Sequence, residues 1–504
     1  MAEYVQVMDT TLRDGEQTRG MSFSAEEKLS IAKLLLKEVK VDRIEVASAR
    51  VSQGEKESVK AICAWAKNEG LLERVEVLAF VDEASIDWAF EAGCRTINLL
   101  AKGSKRHCEL QLRKKPEEHY ADAERVIKYA KGKGMAVNVY LEDWSNGIKD
   151  SKEYVFAFTK RLKKAGINRL LLPDTLGVLD PLQTQKFVAE MKKVIPLAQC
   201  DFHGHNDYGL GTANALVAVQ EGVAGVHCTV NGLGERTGNS ILAEVVAAIN
   251  DKTGCKCGVD ESALVRASKY IERVSGKKLP DNKPIVGDDV FTQTAGIHAD
   301  GDIKGNLYVN PLTPERFGRK REYALGKLSG KSSLEQNLKE LHIELTPEQK
   351  KLVLARVVEL GDKKETLTPE DLPFIISDVL KTPLEKKAEI LECKVFSTFN
   401  GRPKASLRIR LGEKTISEES EGDGGYDAFM QCLKLACSEL NLKLPELTDY
   451  SVRIPPGGKT DAIVEATITW RSNTKEFRTI GVDSDQVMAA VKATEKMLNL
   501  IMLK

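Results

Sequence analysis

From Val5 to about Asp251 one unit recurs along the chain: a short β-branched run, a turn, then a segment with helical apolar spacing. The runs Val5–Asp9, Arg43–Ala47, Val75–Phe80, Thr96–Leu100, Ala136–Glu142, Arg169–Pro173, Ala198–His203 and Gly225–Val230 read as strands. Helices are expected after each, over Ala25–Val39, Glu55–Asn68, Glu83–Ala92, Pro116–Gly132, Ser151–Ala165, Pro181–Val194, Gly209–Glu221 and Ser240–Asn250. Gly93, Gly166 and Gly222 stand where a left-handed C-cap belongs. Strands separated by helices pair in parallel, and about eight such units in about 250 residues match a closed (β/α)8 TIM barrel. An open doubly wound sheet is the rival. It usually has fewer strands and a glycine fingerprint after the first, where this chain has Arg13-Asp14-Gly15-Glu16.

A barrel collects its functional side chains at the C-terminal ends of its strands. Strand 1 ends in Asp9-Thr10-Thr11-Leu12-Arg13-Asp14, strand 5 in Tyr140-Leu141-Glu142-Asp143 and strand 6 in Pro173-Asp174-Thr175. Strand 7 ends in Asp201-Phe202-His203-Gly204-His205-Asn206-Asp207, and strand 8 leads into Asn231-Gly232-Leu233-Gly234-Glu235-Arg236-Thr237-Gly238-Asn239.

Beyond the barrel, assigned to 1–258, the pattern changes. Residues 259–388 read as mainly helical linker subdomains, with a helix over Glu261–Gly276 and helices resuming from Ser332 to Leu380. Within them a proline- and glycine-marked, lid-like segment covers 287–330. From 389 to 504 a strand–strand–strand–helix unit occurs twice, giving an α+β domain with a duplicated βββα unit. Such a duplication without a catalytic motif fits a regulatory module, or else a dimerisation or stability domain. Gly457-Gly458-Lys459-Thr460 imitates a phosphate loop, but Arg453 stands in place of its first glycine and strands surround it.

Lysine plus arginine balance aspartate plus glutamate at 74 each. A nucleic-acid or membrane-surface protein needs a basic excess, so neither partner is expected. No apolar run approaches the length that spans a bilayer, and Met1-Ala2-Glu3-Tyr4 does not open a secretory signal. The 10 cysteines are dispersed without a Cys-x-x-Cys pair. A reduced, cytoplasmic chain is the expectation.

His203 and His205, at i and i+2 where a strand ends, can turn to one face and approach one ion, as imidazole suits Zn, Mn, Fe or Ni. Asp14 ends strand 1, near strand 7 across a closed barrel. A carboxylate, two imidazoles and open positions would make a catalytic metal site. Asn239 can add an amide oxygen or cap the next helix. Arg13 beside Asp14 fits an anion site next to a cation site, or an ordinary ion pair. Glu142 can act as a general base or pair at the rim, whereas Asp143 should point away from it because strand residues alternate. His298 and Tyr308 lie in the lid-like segment, where they either cover a mouth or remain surface residues.

The segments Asp9–Gln17, His203–Asp207 and Gly232–Asn239 together resemble the acetyl-CoA-dependent Claisen-condensing enzymes, the family of isopropylmalate, homocitrate and citramalate synthases. Gly422-Asp423-Gly424-Gly425-Tyr426-Asp427 resembles that family's allosteric-domain signature, so the resemblance spans nearly the whole chain. It implies a divalent metal (Mn2+, Mg2+ or Zn2+) on Asp14, His203 and His205 with Asn239, binding a 2-oxo acid. It implies that Arg13 stabilises the developing alkoxide and that Thr175 binds the substrate carboxylate. Glu142, His298 and Tyr308 would serve removal of the acetyl-CoA methyl proton. Leu78, Leu100 and Tyr140 occupy pocket positions that resemble the citramalate-forming members, which implies pyruvate rather than 2-oxoisovalerate. The resemblance further implies a homodimer and feedback by an amino acid, isoleucine for the pyruvate enzyme or leucine for the isopropylmalate enzyme.

Overall fold

The computed structural model describes residues 3–362, 367–380, 386–454, 464–472 and 475–502. Gly457–Thr460 therefore lie outside the described residues. The chain divides into two compact units, Met1–Phe291 with Val309–Lys320, and Thr292–Tyr308 with Arg321–Lys504.

The first unit is a closed barrel of eight strands in sequential order: β1 Gln6–Asp9, β2 Arg43–Ser48, β3 Val75–Phe80, β4 Thr96–Lys102, β5 Ala136–Glu142, β6 Arg169–Asp174, β7 Cys200–Gly204 and β8 Gly225–Cys228. Every neighbour pair is parallel, and β1 closes on β8 with Asp9 opposite Cys228. The helices dock their apolar faces on the outside of this cylinder, where one continuous core includes Ile44, Val77, Ile97, Phe158 and Phe202. Ser24 and Glu27 form a reciprocal capping box at the first helix, and Gly166 and Gly222 take the expected left-handed caps at φ 77° and 108°.

Several boundaries move. The first helix is α-helical only over Ala25–Lys33 and widens into π-type turns over Leu34–Val39, which bury Leu34, Leu35 and Leu36 together. Thr229 and Val230 leave β8 for a 3-10 turn that feeds the Gly232–Asn239 loop. Two short helices, Lys105–Leu110 and Trp144–Asp150, follow β4 and β5 directly; each is too short for its periodicity to register.

In the second unit, Gly296–Gly305 is a helix despite three glycines. A Cβ at Gly301 would stand 2.5 Å from the Tyr308 ring, so the missing side chain gives that ring its seat. Two-residue strands, β9 Thr292–Gln293 and β10 Glu322–Tyr323, pair nearby. The linker helices are Lys331–Glu340, Pro347–Asp362 and Leu372–Leu380. The duplication is present as two antiparallel sheets: β11 Ala388–Phe396, β12 Lys404–Leu411 and β13 Lys414–Glu421, then β14 Glu446–Arg453, β15 Val464–Ser472 and β16 Lys475–Asp483. Helices Gly425–Ser438 and Gln486–Met502 follow them and share one core built on Phe429, Leu433, Trp470 and Met497. Among the described residues no helix is long and apolar enough to cross a membrane.

Candidate active site

Three loops are bolted together at the C-terminal mouth. The turn after β1 is tied to strand 8: Thr10 N donates to Cys228 O at 2.8 Å, and Val230 N donates to Thr11 Oγ1 at 2.9 Å. Gly234 N donates to Thr18 Oγ1 at 2.8 Å, fixing the glycine-rich loop over the same turn. Asn206 N and Ser240 N donate to Gly238 O and Gly204 O, each at 2.9 Å, which holds that loop on the end of β7. At Gly238, φ is +83° and a Cβ would meet Gly232 O at 1.7 Å, so only glycine lets the loop close and set Asn239 opposite His205. Glu16 turns away from the mouth, accepting from Phe23 N at 2.8 Å and from the buried Lys28 at 2.6 Å.

Asp14, His203 and His205 form the group of metal-ligand-type side chains found among the described residues, with one donor atom from each lying within 4.8 Å of the others. The two Nε2 atoms are 3.4 Å apart, and Asp14 Oδ2 lies 3.3 Å from the first and 3.9 Å from the second. Asp14 Oδ1, both Nδ1 atoms and Asn239 Oδ1 are buried without a hydrogen-bond partner. Asn239 donates one amide N–H to Leu233 O at 3.0 Å, which fixes the side chain with its oxygen unpartnered. Unpaired buried acceptors are costly, and an oxygen, two imidazoles and a spare amide oxygen fit a divalent cation. Burial alone would raise the Asp14 carboxyl, but Arg13, His203 and His205 outweigh it and hold it well below the usual carboxylate range. Burial lowers His205 to about 4, so at neutral pH the ring is uncharged and one of its two nitrogens keeps a lone pair.

Arg13 stands beside this group with its side chain 8% exposed. It donates from Nε to Glu45 at 2.5 Å, from NH1 to Asp14 at 2.7 Å and from NH2 to the Tyr140 hydroxyl at 3.3 Å. Tyr140 is buried, edge-on to the His203 ring at 5.8 Å, and joins Met8, Leu78 and Leu171 in a small apolar cluster with Leu100 packed against it. Burial first, then the Glu45 charge, push its hydroxyl well above the ordinary range, so it stays a neutral phenol.

At the rim, Glu142 pairs with Lys102 at the end of β4. Asp143 takes a left-handed turn (φ 66°) and points to His107 and Asn146. Thr175 Oγ1 accepts from Asp143 N at 2.9 Å. The barrel thus gathers Arg13, Asp14, Tyr140, His203, His205 and Asn239, with Glu142 and Thr175 at its edge. His298 and Tyr308 belong to the second unit, both exposed, with ring centroids 4.3 Å apart.

Sequence reasoning missed Glu45, Lys102 and His227, and the polar residues lining the barrel axis below them. Asn98 donates to Glu45 at 2.7 Å, Asn138 donates to Asn98 at 2.9 Å, and Arg43 spans Glu76 and Asp201. The available signal was a charge in the middle of an apolar run, as in Ile44-Glu45-Val46.

A closed parallel barrel that gathers a buried carboxylate and two imidazoles at its C-terminal mouth has the layout of a barrel enzyme whose cluster could hold a cation. The HMGL-like family model matches residues 4–271, a homocitrate synthase post-HMGL domain-like model matches 285–365, and the LeuA allosteric (dimerisation) domain model matches 366–502. The (R)-citramalate synthase CimA of Methanocaldococcus jannaschii is 35% identical over 503 residues, covering 99% of each chain. The 2-isopropylmalate synthase of the same organism is 34% identical over 507 residues, covering 99% of this chain and 95% of the relative. A probable 2-isopropylmalate synthase of Methanopyrus kandleri is 36% identical over 502 residues, covering 99% of this chain and 98% of the relative. The chain belongs to the HMGL-like family and is an acyltransferase-type condensing enzyme, related along its length to citramalate and 2-isopropylmalate synthases.

Proposed function

We propose that the chain condenses acetyl-CoA with pyruvate, releasing citramalate and CoA in isoleucine biosynthesis, under feedback by an end-product amino acid. The observation that carries the choice of pyruvate is the apolar collar of Met8, Leu78, Tyr140 and Leu171, whose Tyr140 ring stands against His203. A branched 2-oxo acid needs room beside the cation ligands, and there the collar is filled. One or two methyl groups give only about 1–3 kcal/mol by attraction, so exclusion by a buried ring discriminates better.

In this reading Asp14, His203 and His205 hold the divalent cation, Mn2+, Mg2+ or Zn2+, with the Asn239 oxygen beside them. Bound there, the cation supplies Lewis-acid polarisation of the 2-oxo carbonyl. Arg13, aimed by Glu45 and Asp14, offers positive charge to the oxygen that becomes an alkoxide as the carbon–carbon bond forms. Thr175 already accepts through its oxygen, so its hydroxyl hydrogen is what it has left to donate to a substrate carboxylate. Glu142, His298 and Tyr308 serve removal of the acetyl-CoA methyl proton, which is weakly acidic and needs a positioned base. Thioester hydrolysis then makes the condensation irreversible.

A cavity of about 580 Å³ beside helix Gly425–Ser438 supports the regulatory part of the reading. Asp427 and Lys434 line it together with Tyr426, Met430 and Leu442, charges of both signs beside apolar side chains, which suits an aliphatic amino acid such as isoleucine or leucine. The match to a dimerisation domain supports a homodimer.

The test is release of CoA thiol by purified protein with a divalent metal and acetyl-CoA, comparing pyruvate with 2-oxoisovalerate. Faster turnover of 2-oxoisovalerate would overturn the pyruvate reading. It would favour 2-isopropylmalate synthesis with leucine as effector, a second reading kept open by near-equal identity to the two M. jannaschii enzymes.

A further inference from the structure

His227 on β8 is fully buried and faces the barrel axis beneath the mouth. Its Nε2 lies 3.3 Å from Asp201 Oδ2, and its Nδ1 lies 3.0 Å from the Tyr140 hydroxyl. Asp201 also receives Arg43 and, at 2.6 Å, Arg169. Two guanidinium groups keep that carboxylate ionised, and an ionised carboxylate only accepts. The imidazole proton must then sit on Nε2, an assignment that follows from the hydrogen-bond network. A neutral ring protonated on Nε2 offers a lone pair at Nδ1, so the Tyr140 hydroxyl donates downward to it. The phenol oxygen is left facing Arg13, whose NH2 donates to it at 3.3 Å.

We propose that His227 is a positioning residue: it fixes the direction of the Tyr140 hydroxyl, and through it both the seat of Arg13 and the wall that selects the 2-oxo acid. Every bond in the chain Arg13, Tyr140, His227, Asp201 then points the same way, from the mouth toward the barrel floor. The competing acceptor for Tyr140 is Glu45 Oε2, which is farther away at 3.4 Å and already takes Arg13 Nε at 2.5 Å. With His227 as acceptor, Glu45 is reserved for Arg13 and Asn98. A leucine at position 227 would fill the space and leave Tyr140 free to turn to Glu45, which would loosen Arg13.

The kinetic part of this inference rests on the 2-oxo acid reading, and the structural part does not. The experiment uses the full-length, metal-loaded protein. His227→Asn carries an amide oxygen near the Nδ1 position and keeps an acceptor for Tyr140, whereas His227→Gln reaches toward Asp201 and His227→Leu does neither. The expected result is a loss of about tenfold or more in pyruvate kcat/KM, and in selectivity over 2-oxoisovalerate, for the Gln and Leu variants. The Asn variant should stay within about threefold, and His227→Leu should add little in a Tyr140→Phe background. Equal losses in the Asn and Gln variants, or a full His227→Leu effect without the Tyr140 hydroxyl, would overturn the proposal. Histidine 15N NMR of the wild type reads the tautomer without any turnover. An Nε2–H signal whose Nδ1 shift moves in Tyr140→Phe supports the proposal, and an Nδ1–H tautomer overturns it. If no 2-oxo acid is turned over, the substrate reading fails while the tautomer result still decides the role of His227.

Discussion

Arg13 donates from NH1 to Asp14 Oδ2 at 2.7 Å, and the second oxygen of that carboxylate is buried without a partner. Oδ2, the oxygen that takes Arg13, is also the one that faces His203 and His205 at 3.3 and 3.9 Å, so the proposed division lies between the residues: Asp14 as a cation ligand and Arg13 as the charge beside it. Asp14→Ala should weaken Mn2+ or Zn2+ binding by about 100-fold or more. Arg13→Ala removes a positive charge next to the cation, so metal affinity should hold or rise while kcat falls by about 100- to 1000-fold. Calorimetric metal titration beside CoA release separates the two. Loss of metal in Arg13→Ala would contradict the division.

Glu45 is fully buried and receives Arg13 Nε at 2.5 Å and Asn98 Nδ2 at 2.7 Å. Its deletion strips a buried guanidinium of one of two countercharges, and breaking such a pair costs about 3–5 kcal/mol. Glu45→Ala should lower stability by that order in urea titration and reduce turnover while leaving Asp14, His203 and His205, the proposed ligands, in place. Glu45→Gln keeps the shape and an acceptor and should cost less. A Glu45→Ala protein as stable as wild type would mean that Arg13 finds another anion.

Tyr140 belongs to the apolar collar while its hydroxyl is held by polar partners. Tyr140→Ser empties the wall beside His203 and should raise kcat/KM for 2-oxoisovalerate relative to pyruvate by about 10- to 200-fold, the range that one side-chain-sized space controls. Unchanged selectivity would remove Tyr140 from the wall and shift attention to Leu78 and Leu100.

The barrel and the grouping of Asp14, His203 and His205 could be read from the sequence because each leaves a local mark. Strand–helix alternation repeats on a fixed unit, and Asp14, His203 and His205 stand where strands end. The interior was less readable for a physical reason. Both faces of a barrel strand are buried, so Ile44-Glu45-Val46 and Val226-His227-Cys228 look like apolar strands with an incidental polar residue. Only closure of the cylinder shows that Glu45, Asn98, Asn138, Asp201 and His227 share one axis and satisfy each other. Lys102 was hidden similarly, since its partner Glu142 lies on the next strand rather than nearby in sequence. The helix Gly296–Gly305 lies inside the lid-like segment, where three glycines oppose helix propensity and mask it, while one of them, Gly301, leaves room for the Tyr308 ring.

Asp9 ends β1 inside the same turn, with Thr11 N donating to Oδ1 at 2.8 Å and Oδ2 buried without a partner. Burial raises its carboxyl from 3.8 to about 7, against the lowering effect of the hydrogen bond from Thr11. The folded chain therefore keeps a proton that the unfolded chain releases. The stability this contributes is complete below about pH 4 and is lost as pH rises through about 7, reaching about 4 kcal/mol by pH 8. Asp9→Asn has no proton to lose and keeps an oxygen that accepts from Thr11 N. It should match wild type near pH 4 and exceed it at pH 8, by an amount that grows between those values. Urea midpoints of the metal-free proteins at pH 4, 6 and 8 measure the difference, and parallel curves for the two proteins would show that another group carries the titration.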